Sequence, residues 1–407
     1  MNLSFLNPSL VLLLSIAVIL ILIKLKVPVA FAILAGAVFL VLLVTPFSEI
    51  PSLFLKTVTY SQTWQLFIIV PCALAFSSLM EQKGMLTRLA RALENIGPGL
   101  AVHVLPAVIG LVPMPAGALV AATAVKDLAE RLKLTPDRIT FINYWFRHIW
   151  EYSLPIYPSL IITATVLALP ISTVVKVLLP MSALAILLGG ITSYRMLRKT
   201  KVDREQKREP AKQIAISSLR AAWPIILLII LIFVNVEAWM AFPIVLLLLA
   251  IQQRVNGKEV TKAVRYGLNP LILLLLFAVM LYQVTITWSG AAEVLVGKMQ
   301  DLGLPSLLIL AGIPLVLGIA TGYGPATFGI SMPLLLPFII TNSGFNWQAL
   351  LVAFVSGSLG QMLSPAHLCF CLSAEYFKST LGRVYRYTGP IIAIMEAVVI
   401  AVFLIFQ

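Results

Sequence analysis

Residues 304–340 read LPSLLILAGIPLVLGIATGYGPATFGISMPLLLPFII, an apolar stretch that the segment TGYGPAT at 321–327 interrupts in its middle. A second apolar stretch, LAVHVLPAVIGLVPMPAGALVAATAV at 100–125, is interrupted in the same way by PMPAG at 113–117. A straight helix does not tolerate either interruption, because proline lacks an amide hydrogen and glycine frays the helical turn. We therefore predict two helical hairpins, each of which reverses direction at its interruption.

Composition identifies the solvent around these hairpins as lipid. The chain has 407 residues, of which 60% are hydrophobic and 11% charged, whereas soluble domains have about 45–50% apolar and about 25% charged residues. The formal net charge of +13 lies in short loops between apolar runs, where Lys and Arg set membrane orientation, so it does not indicate a nucleic-acid partner. The first apolar run ends in Lys24 and Lys26 without a small-residue cleavage site, which predicts a retained span.

Ten further apolar runs predict membrane-spanning helices, because about 20 apolar residues cross a bilayer as a helix. These runs lie near residues 8–23, 27–45, 64–80, 139–168, 171–194, 215–235, 238–251, 269–288, 347–376 and 387–406. The fold class that follows is an all-α polytopic membrane protein. The amphipathic stretches at 81–96 and 289–302, which precede the two hairpins, predict helices that lie along the membrane interface.

Matched helix breakers divide the chain into two repeats. Repeat 1 covers 1–198 with its hairpin at about 100–131, a basic cytoplasmic linker covers 199–213, and repeat 2 covers 214–407 with its hairpin at about 304–340. The matched pairs, at offsets of 206 to 210, are Gly84 and Gly290, Gly97 and Gly303, Gly110 and Gly318, Pro115 and Pro325, Pro155 and Pro365, and Pro180 and Pro390. Six matched breakers in the same order predict an old duplication of a unit with five spans and one hairpin.

The basic residues predict which side of the membrane each loop faces. If the hairpins are re-entrant, six loops on one side hold 25 Lys and Arg, against three on the other side. These six loops are 24–26, 81–99, 126–138, 195–220, 252–268 and 378–386. The positive-inside rule assigns them to the cytoplasm. We therefore expect a multi-pass protein of the cytoplasmic membrane with both termini outside and with the second repeat inverted relative to the first.

Each repeat contains a second interruption, in the span that follows the hairpin. These breaks are WEYSLP at 150–155 and SGSLGQMLSP at 356–365. Irregular backbone survives in a membrane only inside protein or beside a wet cavity, so four such places predict a site near the midplane. There, helix N-termini attract an anion and free carbonyls coordinate a cation. The candidate solute- or ion-binding residues are Pro113, Met114, Pro115, Ala116, Gly117, Arg147, His148, Glu151, Ser153, Pro155, Thr321, Gly322, Tyr323, Gly324, Pro325, Thr327, Ser356, Ser358, Gln361, Ser364, Pro365 and His367.

Ionisable side chains within the spans need a partner or water, because a charge at the bilayer centre costs at least about 2.5–3.5 kcal/mol. Arg147 and Glu151 have i, i+4 spacing and could neutralise each other on one helix face. Alternatively, Arg147 binds a substrate carboxylate while Glu151 or His148 carries a coupling proton. Glu396 in the last span is expected to pair with a neighbouring helix.

The three cysteines, Cys72, Cys369 and Cys371, lie in apolar segments without partners at metal-ligand spacing. We expect them to be small buried side chains. The sequence implies no cofactor, and no metal apart from Na⁺ at the hairpin tips.

Two inverted five-span repeats, each with a re-entrant hairpin and a proline-broken span, resemble the ion transporter superfamily. Its members include citrate and gluconate permeases, C4-dicarboxylate carriers, divalent-anion/sodium symporters and the large membrane subunit of tripartite periplasmic transporters. Within it, the chain looks most like a family of prokaryotic integral membrane proteins with no assigned function. The symporters' paired Ser-Asn-Thr tips are replaced here by MPAG at 114–117 and YGPA at 323–326, so neither sodium coupling nor a dicarboxylate substrate follows from the resemblance. The resemblance implies an elevator-like mechanism, often with a homodimer interface.

The function that these features favour is secondary active transport of a small anionic, carboxylate-type solute, coupled to H⁺ or Na⁺. An intramembrane enzyme needs a catalytic set, and the spans contain no HExxH, GxSxG or paired-aspartate motif. An ion channel shares the polar core but does not need duplicated hairpins on opposite faces. A membrane subunit that works with a separate solute-binding protein is the remaining alternative.

Overall fold

The computed structural model of the protein describes residues 7–94, 97–114, 117–197 and 210–406. Two of the predicted site residues, Pro115 and Ala116, lie outside this part of the chain, as does most of the predicted linker. The described residues form α-helices joined by short connections, with one short 3-10 helix and a two-stranded antiparallel ladder. The expected all-α architecture with many apolar helices is therefore confirmed.

The first part of the chain, up to residue 197, forms ten α-helices within the described residues. They are α1 Pro8–Lys24, α2 Val29–Val44, α3 Ile50–Thr59, α4 Ser61–Gln82, α5 Met85–Glu94, α6 Pro98–Ile109, α7 Gly117–Arg131, α8 Pro136–His148, α9 Pro158–Val166 and α10 Ile171–Leu197. The 3-10 helix Phe47–Glu49 leads into α3. The predicted amphipathic stretch at 81–96 contains α5, so its helical character is confirmed.

The second part, from residue 210, forms ten more α-helices. They are α11 Ala211–Phe233, α12 Ala238–Gln252, α13 Gly257–Gly267, α14 Pro270–Ser289, α15 Ala291–Asp301, α16 Ser306–Thr321, α17 Gly324–Ile339, α18 Trp347–Leu363, α19 Leu368–Tyr376 and α20 Leu381–Ile405. The strands β1 Ile340–Thr341 and β2 Gly344–Phe345 pair between α17 and α18. The short helices α3 and α13 occupy stretches in which no helix was predicted.

Six segments are long and apolar enough to cross a membrane, and each coincides with a predicted span. They are Ser61–Gln82, Ile171–Leu197, Lys212–Phe233, Gly257–Ser289, Trp347–Tyr376 and Leu381–Ile405. Three more predicted spans form the shorter apolar helices α1, α2 and α12. The tenth, at 139–168, forms α8 and α9 around its predicted break. A polytopic membrane protein is the class that this set of helices defines.

Both predicted hairpins are present as pairs of packed helices. α6 packs on α7, and α16 packs on α17. In the second hairpin, α16 ends at Thr321 and is capped by Gly322, whose φ of +59° is in the left-handed region that favours glycine. α17 begins two residues later, with Pro325 in its first turn, where the missing amide hydrogen breaks no helical bond.

The two broken spans differ in where the helix ends. α8 ends at His148 and α9 begins at Pro158, so the predicted break at 150–155 is confirmed. The predicted break at 356–365 is wrong over its first part, because α18 continues to Leu363. Gly357 and Gly360 do not fray this helix, because at both positions a neighbouring helix packs closely against it.

Contacts of these glycines explain why the helix persists. A Cβ atom on Gly357 would lie 2.8 Å from the ring of Phe328 in α17, and one on Gly360 would meet the backbone carbonyl of Leu315 in α16. Small residues let membrane helices pack backbone to backbone, and this packing stabilises the helix that contains them. The real break is therefore confined to residues 364–367, around Pro365.

Helix contacts between the two parts of the chain come in matched pairs. α2 packs on α14 while α12 packs on α4, and α3 packs on α14 while α13 packs on α4. Similarly, α8 packs on α20 while α18 packs on α10, and α9 packs on α17 while α19 packs on α7. In these matched contacts, each helix of the first part corresponds to a helix of the second part that begins 207 to 211 residues later in the chain.

Candidate functional site

A cavity of about 300 Å³ lies where the two hairpins and the two broken spans meet. It is lined by Leu74, Pro113, Met114, Arg147, His148, Glu151, Tyr157, Pro158, Ser159, Tyr266, Ile272, Gly322, Tyr323, Gly324, Pro325, Gln361, His367, Leu368 and Cys369. α8 and α9 have 13 and 9 residues, or about 20 and 14 Å of helix at about 1.5 Å per residue. Each of the two helices is shorter than the roughly 30 Å hydrocarbon core of a bilayer, so neither is long enough to cross it alone.

Half of the predicted site residues line this cavity. They are Pro113, Met114, Arg147, His148, Glu151, Gly322, Tyr323, Gly324, Pro325, Gln361 and His367. The remaining described ones, Gly117, Ser153, Pro155, Thr321, Thr327, Ser356, Ser358, Ser364 and Pro365, are not among the lining residues. The hairpins and the breaks thus meet at one place, as predicted, but the hydroxyl groups that accompany them mostly do not face it.

The polar residues outside the cavity have structural partners instead. Ser182 Oγ in α10 donates to Ser153 Oγ at 2.7 Å, and the hydroxyls of Thr321 and Thr327 lie 2.9 Å apart across the tip of the second hairpin. Ser356 Oγ in α18 donates to Glu396 Oε1 in α20 at 2.7 Å. The expected pairing of Glu396 with a neighbouring helix is therefore confirmed.

Sequence reasoning missed several lining residues at the start of helices α9 and α19. Pro158 and Ser159 open α9, and Leu368 and Cys369 open α19. Their position in the sequence could have identified them, because the first residues of a helix after a break have backbone amides that donate no hydrogen bond within the helix. Tyr266 comes from α13, a helix that was not predicted.

The first break is anchored on the first hairpin. The indole of Trp150 donates to the backbone carbonyl of Ala107 at 2.8 Å, and the hydroxyl of Tyr157 donates to the carbonyl of Gly110. These two side chains donate to carbonyls at the C-terminal end of α6, where no amide of the same helix is available as a donor. The hairpin and the break are thereby fixed relative to each other.

Arg147 is the buried cation of the cavity, with 4% of its surface exposed. Its Nη2 donates to the carbonyl of Met114 at 3.2 Å and its Nη1 donates to Cys369 Sγ at 3.2 Å. Its Nε is buried and has no hydrogen-bond partner among the described residues. In the described part of the chain, the ion pairs are Lys83 with Glu259 and His148 with Glu151, so no carboxylate pairs with Arg147.

One interpretation open from the sequence was that Arg147 and Glu151 neutralise each other on one helix face, and the described residues contain no direct ion pair between them. The i, i+4 relation brings side chains together only on a continuous helix. α8 ends at His148, and Glu151 lies in the turn that follows. Glu151 instead accepts from Gln361 Nε2 at 3.4 Å, and its Oε1 lies 3.8 Å from His148 Nε2.

Two histidines from different parts of the chain face each other in the cavity wall. His148 Nε2 and His367 Nε2 are 3.2 Å apart, and His148 Nδ1 lies 2.6 Å from the carbonyl of Tyr144. Cys369 Sγ joins them, with all three potential ligand atoms within 4.8 Å of one another. Cys369 has no partner at metal-ligand spacing in the sequence, but these two histidines are adjacent to it in space.

Two glycines of the hairpins permit close approach to the polar residues. A Cβ atom on Gly117 would meet Arg147 Nη2, and one on Gly324 would lie 2.6 Å from Gln361 Oε1. A Cβ atom at either position would displace one of these side chains. Both hairpin tips therefore touch the polar groups from the broken spans.

The fold and this cavity, which has polar groups in a mainly apolar wall, define a polytopic α-helical membrane protein with a candidate site formed by interrupted helices. Residues 6–406 match a family described as proteins of unknown function, DUF401, and the chain belongs to that family. Among curated proteins, none gives a significant match to the chain.

Proposed function

We propose that this protein is a secondary active transporter that binds a small carboxylate-type anion in the cavity and couples its movement to H⁺ or Na⁺. The observation that carries the proposal is Arg147, a buried guanidinium with no carboxylate partner among the described residues. A buried charge without a counter-charge is strongly destabilising. A bound anion removes that penalty, and the fork of guanidinium donors matches carboxylate geometry.

Helix N-termini add to the positive potential of the cavity. α9, α17 and α19 each place first-turn residues in its wall, namely Ser159, Pro325 and Cys369. None of the three helices has its N-terminus capped by a side chain of the described residues. Their free amides and the positive ends of their dipoles attract an anion.

The size of the cavity selects a small solute. Its volume of about 300 Å³ is at the lower end of the roughly 300–1,000 Å³ range of ligand pockets. The carboxylate of Glu151 and the imidazole of His148 line the same cavity as the guanidinium and supply groups that exchange protons. We assign proton coupling to these two side chains.

The proposal includes two inverted repeats, each with five spans and one re-entrant hairpin. The matched helix contacts between the two parts of the chain support this relation. Two equivalent close contacts also support it. A Cβ atom on Gly110 would meet the carbonyl of Arg147, and a Cβ atom on Gly318 would meet the carbonyl of Gly357. Arg147 and Gly357 are 210 residues apart, the same offset as the matched prolines. Discontinuous helices that meet near the midplane are typical of such transporters. On the same ground we extend the proposal to membership of the ion transporter superfamily and to elevator-like alternating access.

Calorimetry of the purified protein with a panel of mono-, di- and tricarboxylates tests the proposal. Hydrogen bonds to charged groups contribute about 1.5–3 kcal/mol each, so loss of a bidentate contact in Arg147→Met should weaken binding by about 100-fold or more. Glu151→Gln should still bind the anion but lose the pH dependence of uptake into vesicles.

Arg138→Met is the matched control, because Arg138 lies on the same helix and contacts the carbonyl of Met196 at 3.5 Å, away from the cavity. Its anion affinity should equal that of the unmodified protein. Normal binding in Arg147→Met, or recovery of binding when Glu151→Gln is added to it, would show that the guanidinium does not hold the solute.

A further inference from the structure

We propose that the cavity also binds a transition-metal cation of the Zn²⁺ type, with His148, His367, Cys369 and Glu151 as its ligands. The proposal goes beyond transport, since it depends on the positions of four side chains and not on the solute. Imidazole, thiolate and carboxylate are the three ligand types that Zn²⁺ takes in proteins.

The distances between the ligand atoms suit one small ion. Tetrahedral Zn²⁺ binds histidine nitrogen at about 2.0–2.1 Å, which places two such nitrogens about 3.3 Å apart. The Nε2 atoms of His148 and His367 are 3.2 Å apart. Cys369 Sγ lies within 4.8 Å of both nitrogens, and Glu151 Oε1 lies 3.8 Å from His148 Nε2. The two histidines and Cys369 therefore form the group of possible ligands, and Glu151, next to His148, is proposed as the fourth.

The backbone already orients one of these ligands. His148 Nδ1 is 2.6 Å from the carbonyl of Tyr144, one turn earlier on α8. A carbonyl only accepts a hydrogen bond, so Nδ1 carries the proton and the lone pair of the neutral ring is on Nε2, towards His367. A hydrogen bond from the distal ring nitrogen to a carbonyl is the usual support for a metal-binding histidine.

Charge also fits a divalent ion in spite of the neighbouring guanidinium. The thiolate of Cys369 and the carboxylate of Glu151 together supply two negative charges. Arg147 Nη1 donates to Cys369 Sγ at 3.2 Å, and a thiol that coordinates a metal ion is deprotonated by the ion itself. With the ion in place, the charge of Arg147 stays available to an anion. His148 and Glu151 then no longer exchange protons, so metal binding and proton coupling exclude each other at this site.

The ligand types discriminate between metals. Two imidazoles and a thiolate favour borderline and soft ions over Mg²⁺, Ca²⁺ or Na⁺, which prefer oxygen. His148 and Glu151 come from the first broken span, and His367 and Cys369 come from the second broken span. The metal would therefore connect the two broken spans of the protein.

Titration of Co²⁺ into tag-free protein that has been stripped with a chelator tests this site. Cobalt bound by a thiolate shows a charge-transfer band in the near ultraviolet, and tetrahedral cobalt shows intense visible bands. We expect both signals to saturate at one ion per chain and to disappear on addition of Zn²⁺ but not of Mg²⁺. Cys369→Ser should lose the charge-transfer band, and His148→Gln should lose the tetrahedral visible bands.

The other two cysteines provide matched controls. Cys371→Ser and Cys72→Ser should retain the charge-transfer band, because neither sulfur belongs to the cluster. A band that survives in Cys369→Ser, or no saturable signal in protein that unfolds cooperatively, would overturn the proposal and leave a proton shared by the two histidines as the alternative. Calorimetry with carboxylates on metal-free protein separates the two proposals. Anion binding without a cobalt signal refutes the metal site alone, and a cobalt signal without anion binding refutes the transport site alone.

Discussion

Gly318 lies at a close contact between α16 and α18, and its replacement by alanine tests the packing that positions the second hairpin. A Cβ atom at this position would lie 2.6 Å from the amide nitrogen of Gln361 and 2.9 Å from the carbonyl carbon of Gly360. Both neighbours are backbone atoms of a helix and cannot rotate away. Moving the nitrogen from 2.6 Å to an ordinary contact of 3.4 Å requires the two helices to separate by about 0.8 Å.

The expected loss of stability in Gly318→Ala follows from a comparison with Gly312→Ala on the same helix. A Cβ atom on Gly312 has no described neighbour within 4 Å. Both substitutions gain the same helix propensity, up to about 1 kcal/mol, so their difference isolates the overpacking term of about 1–3 kcal/mol. With an unfolding entropy of about 2.1 cal/mol/K per residue, this energy lowers the Tm of Gly318→Ala by about 1–4 °C relative to Gly312→Ala.

The assay is thermal unfolding of both variants in the same detergent and at the same scan rate, followed by tryptophan fluorescence. Gly318→Ala should also weaken anion binding, because α16 leads directly to Gly322 in the cavity wall. If Gly318→Ala unfolds at the same temperature as Gly312→Ala or higher, the close contact of α16 with α18 does not exist as described.

Two further predictions concern a buried hydrogen bond and the orientation in the membrane. Ser356→Ala removes the hydroxyl that donates to Glu396 at 2.7 Å and should reduce stability by about 1–3 kcal/mol. Adding Glu396→Met should recover most of that loss, whereas additive losses in the double variant would contradict the pairing. In a cysteine-free background, a cysteine at Asn342 should react with an impermeant reagent from outside the cell, and one at Lys258 should react only after permeabilisation. The reverse pattern would refute the proposed inverted repeats.

The sequence determined the class of protein and the positions of its main interruptions. Hydrophobic runs, proline and glycine act on the backbone within a few residues, so their effects can be predicted locally. The hairpins around Gly117 and Gly324 and the break after His148 were all predictable for this reason. It was also predictable that these elements meet, because irregular backbone at membrane depth must be buried in protein or line a wet cavity.

The tertiary structure decided what each glycine and each polar side chain does. Local sequence does not distinguish a glycine that frays a helix from one that admits a neighbouring helix, and Gly360 proved to be the second kind. It also does not determine contacts between distant residues. Cys369 meets Arg147 and His148 because α19 and α8 pack together more than 200 residues apart in sequence. Such contacts depend on how whole helices pack, and only the folded chain fixes that packing.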